Sequence, residues 1–337
     1  MNPEQAGTTN IPRAGDDNVI PFHVEELEVR GRAVHLGPMV NNILEGHRYP
    51  EPVSRLLAEA VCLSILLGSS LKFDGKFIIQ TESDGAVPFF VADFSTPNTV
   101  RAYAHYDQIK LDKLAELGTV DTASLMGKGV LAMTIDPGSS AQRYQGIVSL
   151  DGQNLEEVAD QYFRQSEQIP TKVRLGVSQL IATDSDGQTK KTWRAGGFIA
   201  QFLPSSAERM RMPDLPGGDE PATHDKYDDP TDTADDLWLE AVSLVSTIGD
   251  DELTDPQIGT EQLLFRLFHE RGVHVHPALP MINKCKCSKQ KIVNVISSFT
   301  KDEREEAFLA SDKPGYITSK CEFCGTNYQV SLEEIAE

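Results

Sequence analysis

The chain has 337 residues, 39% of them hydrophobic, and a formal net charge of −20. That length accommodates two domains with cores of their own, and that acidity argues against nucleic acid as the main ligand, since nucleic-acid surfaces are basic. Four of the five cysteines crowd near the C-terminus, which argues against a disulfide-scaffolded secreted fold, and the longest apolar run is too short to span a bilayer. Met1–Asp17 is polar with no apolar signal core, so a reducing cytoplasm is the expected location.

Residues 1–19 read as a disordered tail. Leu27, Val29 and Ala33–Val34 have the look of a strand, and Met39, Val40, Ile43 and Leu44 suit a short helix that ends at Tyr49-Pro50. Pro52 then opens a longer helix, near 52–71, whose Leu56, Leu57, Ala60, Val61, Leu63, Ile65, Leu66 and Leu67 cover most of its circumference. A helix apolar nearly all round belongs in a core, and Cys62 within it reads as a small buried hydrophobe.

Strand signals follow at Lys76–Thr81, Val87–Phe94, Thr99–Tyr106, Gly129–Ile135 and Tyr144–Leu150, separated by Asp84-Gly85, Pro97-Asn98 and Asp136-Pro-Gly138. Asn154 caps a helix over 154–166, and strands Lys172–Ala182 and Lys191–Leu203 flank a turn at Asp184. The fold class is therefore α+β: an N-terminal antiparallel-sheet domain with packed helices (20–204), a helical linker and a small C-terminal zinc-binding domain.

Residues 205–236 carry ten acidic and three basic residues with few apolar ones, which predicts an acidic, flexible linker. In 237–280, Leu237, Trp238, Ala241, Leu244, Val245 and Ile248 form one apolar stripe, and Leu263, Leu264, Leu267 and Phe268 a second. Both helices are amphipathic and should dock on the first domain.

The chemistry-bearing residues lie in 281–337. Cys285 and Cys287 stand in Lys-Cys-Lys-Cys-Ser, Cys321 and Cys324 in Cys-Glu-Phe-Cys-Gly, and thirty-three residues separate the pairs. Two short clips supplying four thiolates suit one tetrahedral Zn²⁺. Ser288 and the Thr300–Glu303 capping box start helices between the clips, and Gly325 follows the last cysteine, where the knuckle needs φ > 0. A module this small, with one thin apolar layer, is marginal without a staple, and structural zinc contributes on the order of 10 kcal/mol. His269, His274 and His276 lie upstream, but four thiolates already fill the shell.

Four thiolates around Zn²⁺ leave two net negative charges, which Lys284, Lys286, Lys289, Lys291 and Lys320 offset. Nearby cations also keep exposed sulfurs reactive, and a disulfide across the Cys-x-Cys spacing closes a small ring that is easily reduced again. Spacing and charge alone leave two uses open, a purely structural zinc and a reversible redox switch.

The two clips, Phe265-Arg-Leu-Phe-His-Glu270, Leu71-Lys-Phe-Asp-Gly75, Arg143-Tyr-Gln-Gly146, Tyr162-Phe-Arg-Gln-Ser-Glu-Gln-Ile-Pro170 and Gly196-Gly197 resemble one family, the thirty-three-kilodalton heat-shock proteins, which are redox-regulated holdase chaperones of the bacterial cytoplasm. The resemblance runs in order from about residue 20 to 335. It implies that Cys285, Cys287, Cys321 and Cys324 hold zinc when reduced and the protein is inactive. It implies that peroxide with heat, or hypochlorous acid, pairs Cys285 with Cys287 and Cys321 with Cys324, that zinc is released, and that module and linker then lose structure. Apolar surface would bind unfolding client proteins without ATP, often as a homodimer, and reduction would pass clients to ATP-dependent foldases. Three features depart from the family pattern: the extra N-terminal tail, the long acidic stretch 205–236, and a longer gap between the clips near Asp312–Gly315.

Two rivals fare worse. A thiol–disulfide oxidoreductase would place Cys321-x-x-Cys324 at a helix start beside a βαβ unit, and would leave Cys285 and Cys287 unexplained. A zinc ribbon for nucleic acid conflicts with the charge and lacks an aromatic stacking platform. No catalytic constellation stands out elsewhere, so no enzymatic activity and no membrane or nucleic-acid partner are expected.

Overall fold

The computed structural model describes residues 14–71, 74–138, 142–183, 187–203, 235–311 and 313–335. In chain order, β1 (Asn18–Val24) and β2 (Val29–Leu36) lead to α1 (Pro38–Glu45) and α2 (Glu51–Gly68). Then come β3 (Lys76–Ser83), β4 (Phe89–Ser95), β5 (Thr99–His105), α3 (Gln108–Leu117) and α4 (Thr122–Met126). β6 (Lys128–Asp136), β7 (Tyr144–Asp151), α5 (Leu155–Tyr162), β8 (Thr171–Thr183) and β9 (Thr189–Phe202) follow. The linker holds α6 (Asp236–Ser246), α7 (Asp250–Thr254) and α8 (Thr260–Phe268), then the short strands β10 (Val273–Val275), β11 (Leu279–Pro280) and β12 (Ile282–Asn283). The module has α9 (Lys289–Ser297), α10 (Lys301–Leu309), β13 (Tyr316–Lys320), β14 (Asn327–Ser331) and α11 (Leu332–Ile335).

Two six-stranded sheets enclose α2. The first has the order β10-β1-β2-β9-β8, with β11 also on β1; the second runs β12-β5-β4-β3-β6-β7. Helix α2 packs on β9, β8 and β2 of one sheet and on β4, β3 and β5 of the other, so it is apolar on all sides because it is covered on all sides. Val53, Leu57, Val61 and Ile65 are completely buried there, and so is Cys62, whose thiol is correspondingly hard to ionise.

The outer face of the first sheet is covered as well. Along β9 the alternate residues Ala195 and Ile199 join the α2 core, while Phe198, Ala200 and Phe202 join a second core with Phe22, Leu27 and Val29. The linker supplies the other half of that second core: Ala241 and Val245 of α6, Leu253 of α7, and Leu263, Leu264, Leu267 and Phe268 of α8. Phe22 lies 5.0 Å from Phe198 and 5.8 Å from Phe268 between ring centroids, and Trp238 lies 6.0 Å from Phe202. Each such aromatic withdrawn from water contributes about 1.5–3 kcal/mol. The expected docking of the amphipathic linker helices on the first domain is thus observed.

Two neighbouring glycines make the double cover possible. A Cβ on Gly197 would meet Leu66 at 3.0 Å and Cys62 at 3.3 Å on the α2 side. A Cβ on Gly196 would stand 2.0 Å from the Leu253 carbonyl oxygen on the linker side. Polar pins flank this contact: Arg194 Nε donates to the Thr254 carbonyl at 2.7 Å, and Arg174 donates to the Ile248 carbonyl at 3.1 Å and to Asp250 at 3.3 Å.

Several boundaries differ from the sequence reading. The folded domain starts before residue 20: Asp16 pairs with Arg194, Asp17 accepts from the amides of Gly37 and Met39 at the start of α1, and β1 begins at Asn18. Pro21 disguised that strand; it is tolerated because β10 pairs only with Phe22–Val24. Helix α3 went unread because most of its surface is exposed, and α4 because five residues are too short to show a helical period, although Asp107 and Asp121 cap them in the usual way. The helix from Asn154 gives way at Phe163 to a wider π turn through Glu167. The acidic stretch ends earlier than 236, with Asp235 capping α6, and the region 237–280 is not helical throughout, since β10 and β11 complete the edge beside β1. The predicted tail over 1–13, the acidic residues 204–234, the Asp184 turn and Asp312 lie outside the described residues.

Replacing Gly196 with alanine forces α7 off the sheet, since backbone oxygen cannot yield as a side chain does. Gly196→Ala is expected to lower stability by about 1–3 kcal/mol in chemical denaturation and to speed proteolysis within 248–256.

Candidate metal centre

The two clips reach their positions by different routes. Cys285 follows β12, which adds in parallel to β5 through Ile282–Thr99 and Asn283–Val100, and the Lys284 amide donates to the Val100 carbonyl at 3.2 Å. Ser288 accepts from the Lys291 amide and starts α9 directly after Cys287. The second clip is a tight turn leaving β13. The Gly325 amide donates to the Cys321 carbonyl at 2.8 Å and the Cys321 amide to the Thr326 carbonyl at 2.9 Å, which requires Gly325 at φ +68°. The β13–β14 hairpin and α9 enclose a small apolar cluster, Val293, Ile296, Ile317, Val330 and Ile335.

These elements bring all four sulfurs within 4.8 Å of one another. Cys285 Sγ is 3.7 Å from Cys321 Sγ, and Cys287 Sγ is 3.4 Å from Cys324 Sγ. Sulfurs at about 2.3 Å from a tetrahedral Zn²⁺ stand about 3.8 Å apart, so the donor set and spacing fit a four-thiolate metal site. The electrostatics fit too. Burial, together with the neighbouring sulfurs, pushes Cys285 up to about 12, so thiolates packed this closely need a cation among them. Cys324 goes the other way. Burial opposes its ionisation, but the hydroxyl and amide of Thr326 and the adjacent sulfurs hold it at about 7.

Hydroxyls make direct contacts to two of the sulfurs. Tyr328 Oη donates to Cys287 Sγ at 3.0 Å, and the Thr326 hydroxyl oxygen is 3.2 Å from Cys324 Sγ. The five lysines expected to offset the charge are all exposed. Lys289 pairs with Glu334 at 2.5 Å and Lys291 donates to the Lys286 carbonyl at 2.5 Å, so two of them are directed elsewhere. Lys284, Lys286 and Lys320 act only through space. Thr326 and Tyr328 escaped the sequence reading because their roles depend on the hairpin register, in which Ser319 faces Tyr328 and Lys320 faces Asn327.

The second clip also touches the first domain. Phe323, between its two cysteines, lies under the Arg101 guanidinium at 4.0 Å and beside Tyr103, and its carbonyl oxygen is 3.3 Å from His47 Nε2. His269, His274 and His276 take no part in the cluster.

A two-sheet α+β domain whose outer face is covered by its own linker, closed by a four-cysteine module able to hold a metal ion, defines a recognisable class of protein. Comparison with known proteins identifies it. The Hsp33 protein family model matches residues 17–331. The 33 kDa chaperonin of Caulobacter vibrioides is 38% identical over 317 residues, covering 94% of this chain and 95% of that protein. Its namesake in Pseudomonas paraeruginosa is 32% identical over 316 residues, covering 94% and 92%. The crystal structure of the heat shock protein 33 homolog from Thermotoga maritima shares the fold, with a TM-score of 0.68 over 95% of this chain and 97% of that one, at 22% identity. The chain belongs to the Hsp33 family of chaperones, and its function is to bind client proteins. Among the described residues no helix is long and apolar enough to cross a membrane.

Tyr328→Phe keeps the ring and removes the hydroxyl from Cys287. Metal affinity, measured by competition with a chelator on the reduced protein, is expected to fall about tenfold or more.

Proposed function

We propose that this chaperone is a redox-regulated holdase that works without ATP and without catalysis. The observation that carries the reading is the aromatic outer face of the first sheet, Phe22, Phe198 and Phe202, held under helices that lead through three short strands into a cysteine module. In the reduced protein, Cys285, Cys287, Cys321 and Cys324 hold one Zn²⁺. Bound there, the metal cross-links the two clips and leaves no open position for catalysis.

Under peroxide with heat, or hypochlorous acid, Cys285 pairs with Cys287 and Cys321 with Cys324. Each disulfide forms as two thiolates give up two electrons, which one H₂O₂ takes up with two protons from solvent to become two waters. A disulfide sulfur is a poor ligand, so the module releases its metal and loses the staple that its five-residue apolar cluster needs. The anchors of β12 on β5 and of Phe323 on Arg101 loosen with it, and the linker loses its downstream support. Helices α6–α8 then leave the sheet, and its aromatic face takes up unfolded chains by the hydrophobic effect.

The net charge of −20 keeps such a surface soluble. The active form is a homodimer in the bacterial cytoplasm, and reduction passes clients to ATP-dependent foldases. The test follows metal release and suppression of aggregation of a heat-denatured client, before and after peroxide at elevated temperature. Both should rise together and reverse on reduction. Metal release with disulfide formation but no gain in holding activity would contradict the proposal.

A further inference from the structure

Outside the cysteine module the structure gathers three imidazoles at one seam. His23 of β1 sits opposite His274 of β10 in antiparallel register, and His276 lies two residues further along the same face. The rings of His23 and His274 stack at 4.8 Å and 12°, and those of His23 and His276 at 5.0 Å and 29°. Nδ1 of His23 is 2.9 Å from Nε2 of His276. The backbone fixes this pairing, because the His276 amide donates to the Pro21 carbonyl at 2.9 Å. His274 and His276 are exposed and His23 half-buried, so the cluster is open to solvent.

We propose that His23, His274 and His276 form a second metal site, for a first-row cation of square or octahedral preference such as Ni²⁺ or Cu²⁺. The spacing is compatible with this class. Two imidazole nitrogens about 2.1 Å from a metal stand about 3.0 Å apart when they occupy adjacent corners of a square, and about 3.4 Å in a tetrahedron. The His23–His276 separation matches the first. In the metal-free protein the same two nitrogens share one proton in a hydrogen bond, which metal binding replaces. His274 lies flat against His23, and the three rings do not converge on one point as they stand, so the third nitrogen must enter by a turn of the exposed His274 ring. Arg30 stands directly opposite His23 on β2. Its positive charge disfavours ions held by charge alone, such as Ca²⁺ or Mg²⁺, and leaves metals that form strong bonds to imidazole. A metal here ties β10, the strand that follows the linker helices, to the first sheet.

The test titrates the reduced full chain, already carrying its metal at the cysteines, with Ni²⁺ by calorimetry while a chelating dye monitors any metal displaced from the sulfurs. One further equivalent is expected with no displacement, together with slower deuterium exchange of the His276 amide. His23→Gln and His276→Gln should each weaken that equivalent by at least about tenfold, while His105→Gln, an exposed histidine elsewhere, leaves it unchanged. Circular dichroism confirms that the variants fold. Absence of a further equivalent, Ni²⁺ uptake only by displacement at the cysteines, or an affinity undiminished in both variants would overturn the proposal.

Discussion

A strand buried on both faces must be covered twice, and β9 sets that requirement for the whole chain. Ala195, Gly197 and Ile199 face α2, while Gly196, Phe198, Ala200 and Phe202 face the linker. The first cover lies early in the sequence and is permanent, since α2 is wedged between two sheets. The second comes from helices that begin more than thirty residues after β9 ends, at Asp236. An aromatic sheet face that depends on a separately attached segment is stable only while that segment stays down. Its polar attachments include Arg194 to Thr254, Arg174 to Ile248 and Asp250, the Ala14 amide to Glu261, and Arg271 to Glu26.

Downstream support is weaker still. β10 pairs over three residues, β11 and β12 over two each, and the module beyond has a five-residue apolar cluster. Such a module cannot offset its ordering entropy by burial alone, whereas a four-thiolate metal contributes on the order of 10 kcal/mol. A metal held there would make four sulfurs, atoms sensitive to oxidants, the largest single contribution to the far end of the molecule. Phe323 places the second clip against Arg101 and Tyr103, so a change at the sulfurs is felt by the first domain without passing along the linker.

The cysteine clips, the central helix and most strands were legible because each follows a local rule: ligand spacing, all-round apolarity or alternation. The docking of α6 and α8 was legible from their stripes. What escaped depends on long-range pairing. Asp16 and Asp17 look like tail until Arg194 and the start of α1 are brought to them. Pro21 hid β1, and two-residue strands such as β11 and β12 have no pattern to read. The expectation that five lysines offset the charge of the sulfurs rests on nearness in sequence, which does not fix where each ammonium group goes. The fold instead directs Lys289 to Glu334 and brings in Tyr328 across the hairpin.

The central claim is that oxidation at the cysteines uncovers the outer face of the first sheet. Hydrogen–deuterium exchange of the full chain, reduced and then oxidised, tests it most directly. Protection should be lost in 289–331 and in α6–α8, and gained exposure should extend to Phe198–Phe202, while β3, β4 and α2 remain protected. Loss confined to 289–331, with α6–α8 as slow to exchange as before, would contradict the account.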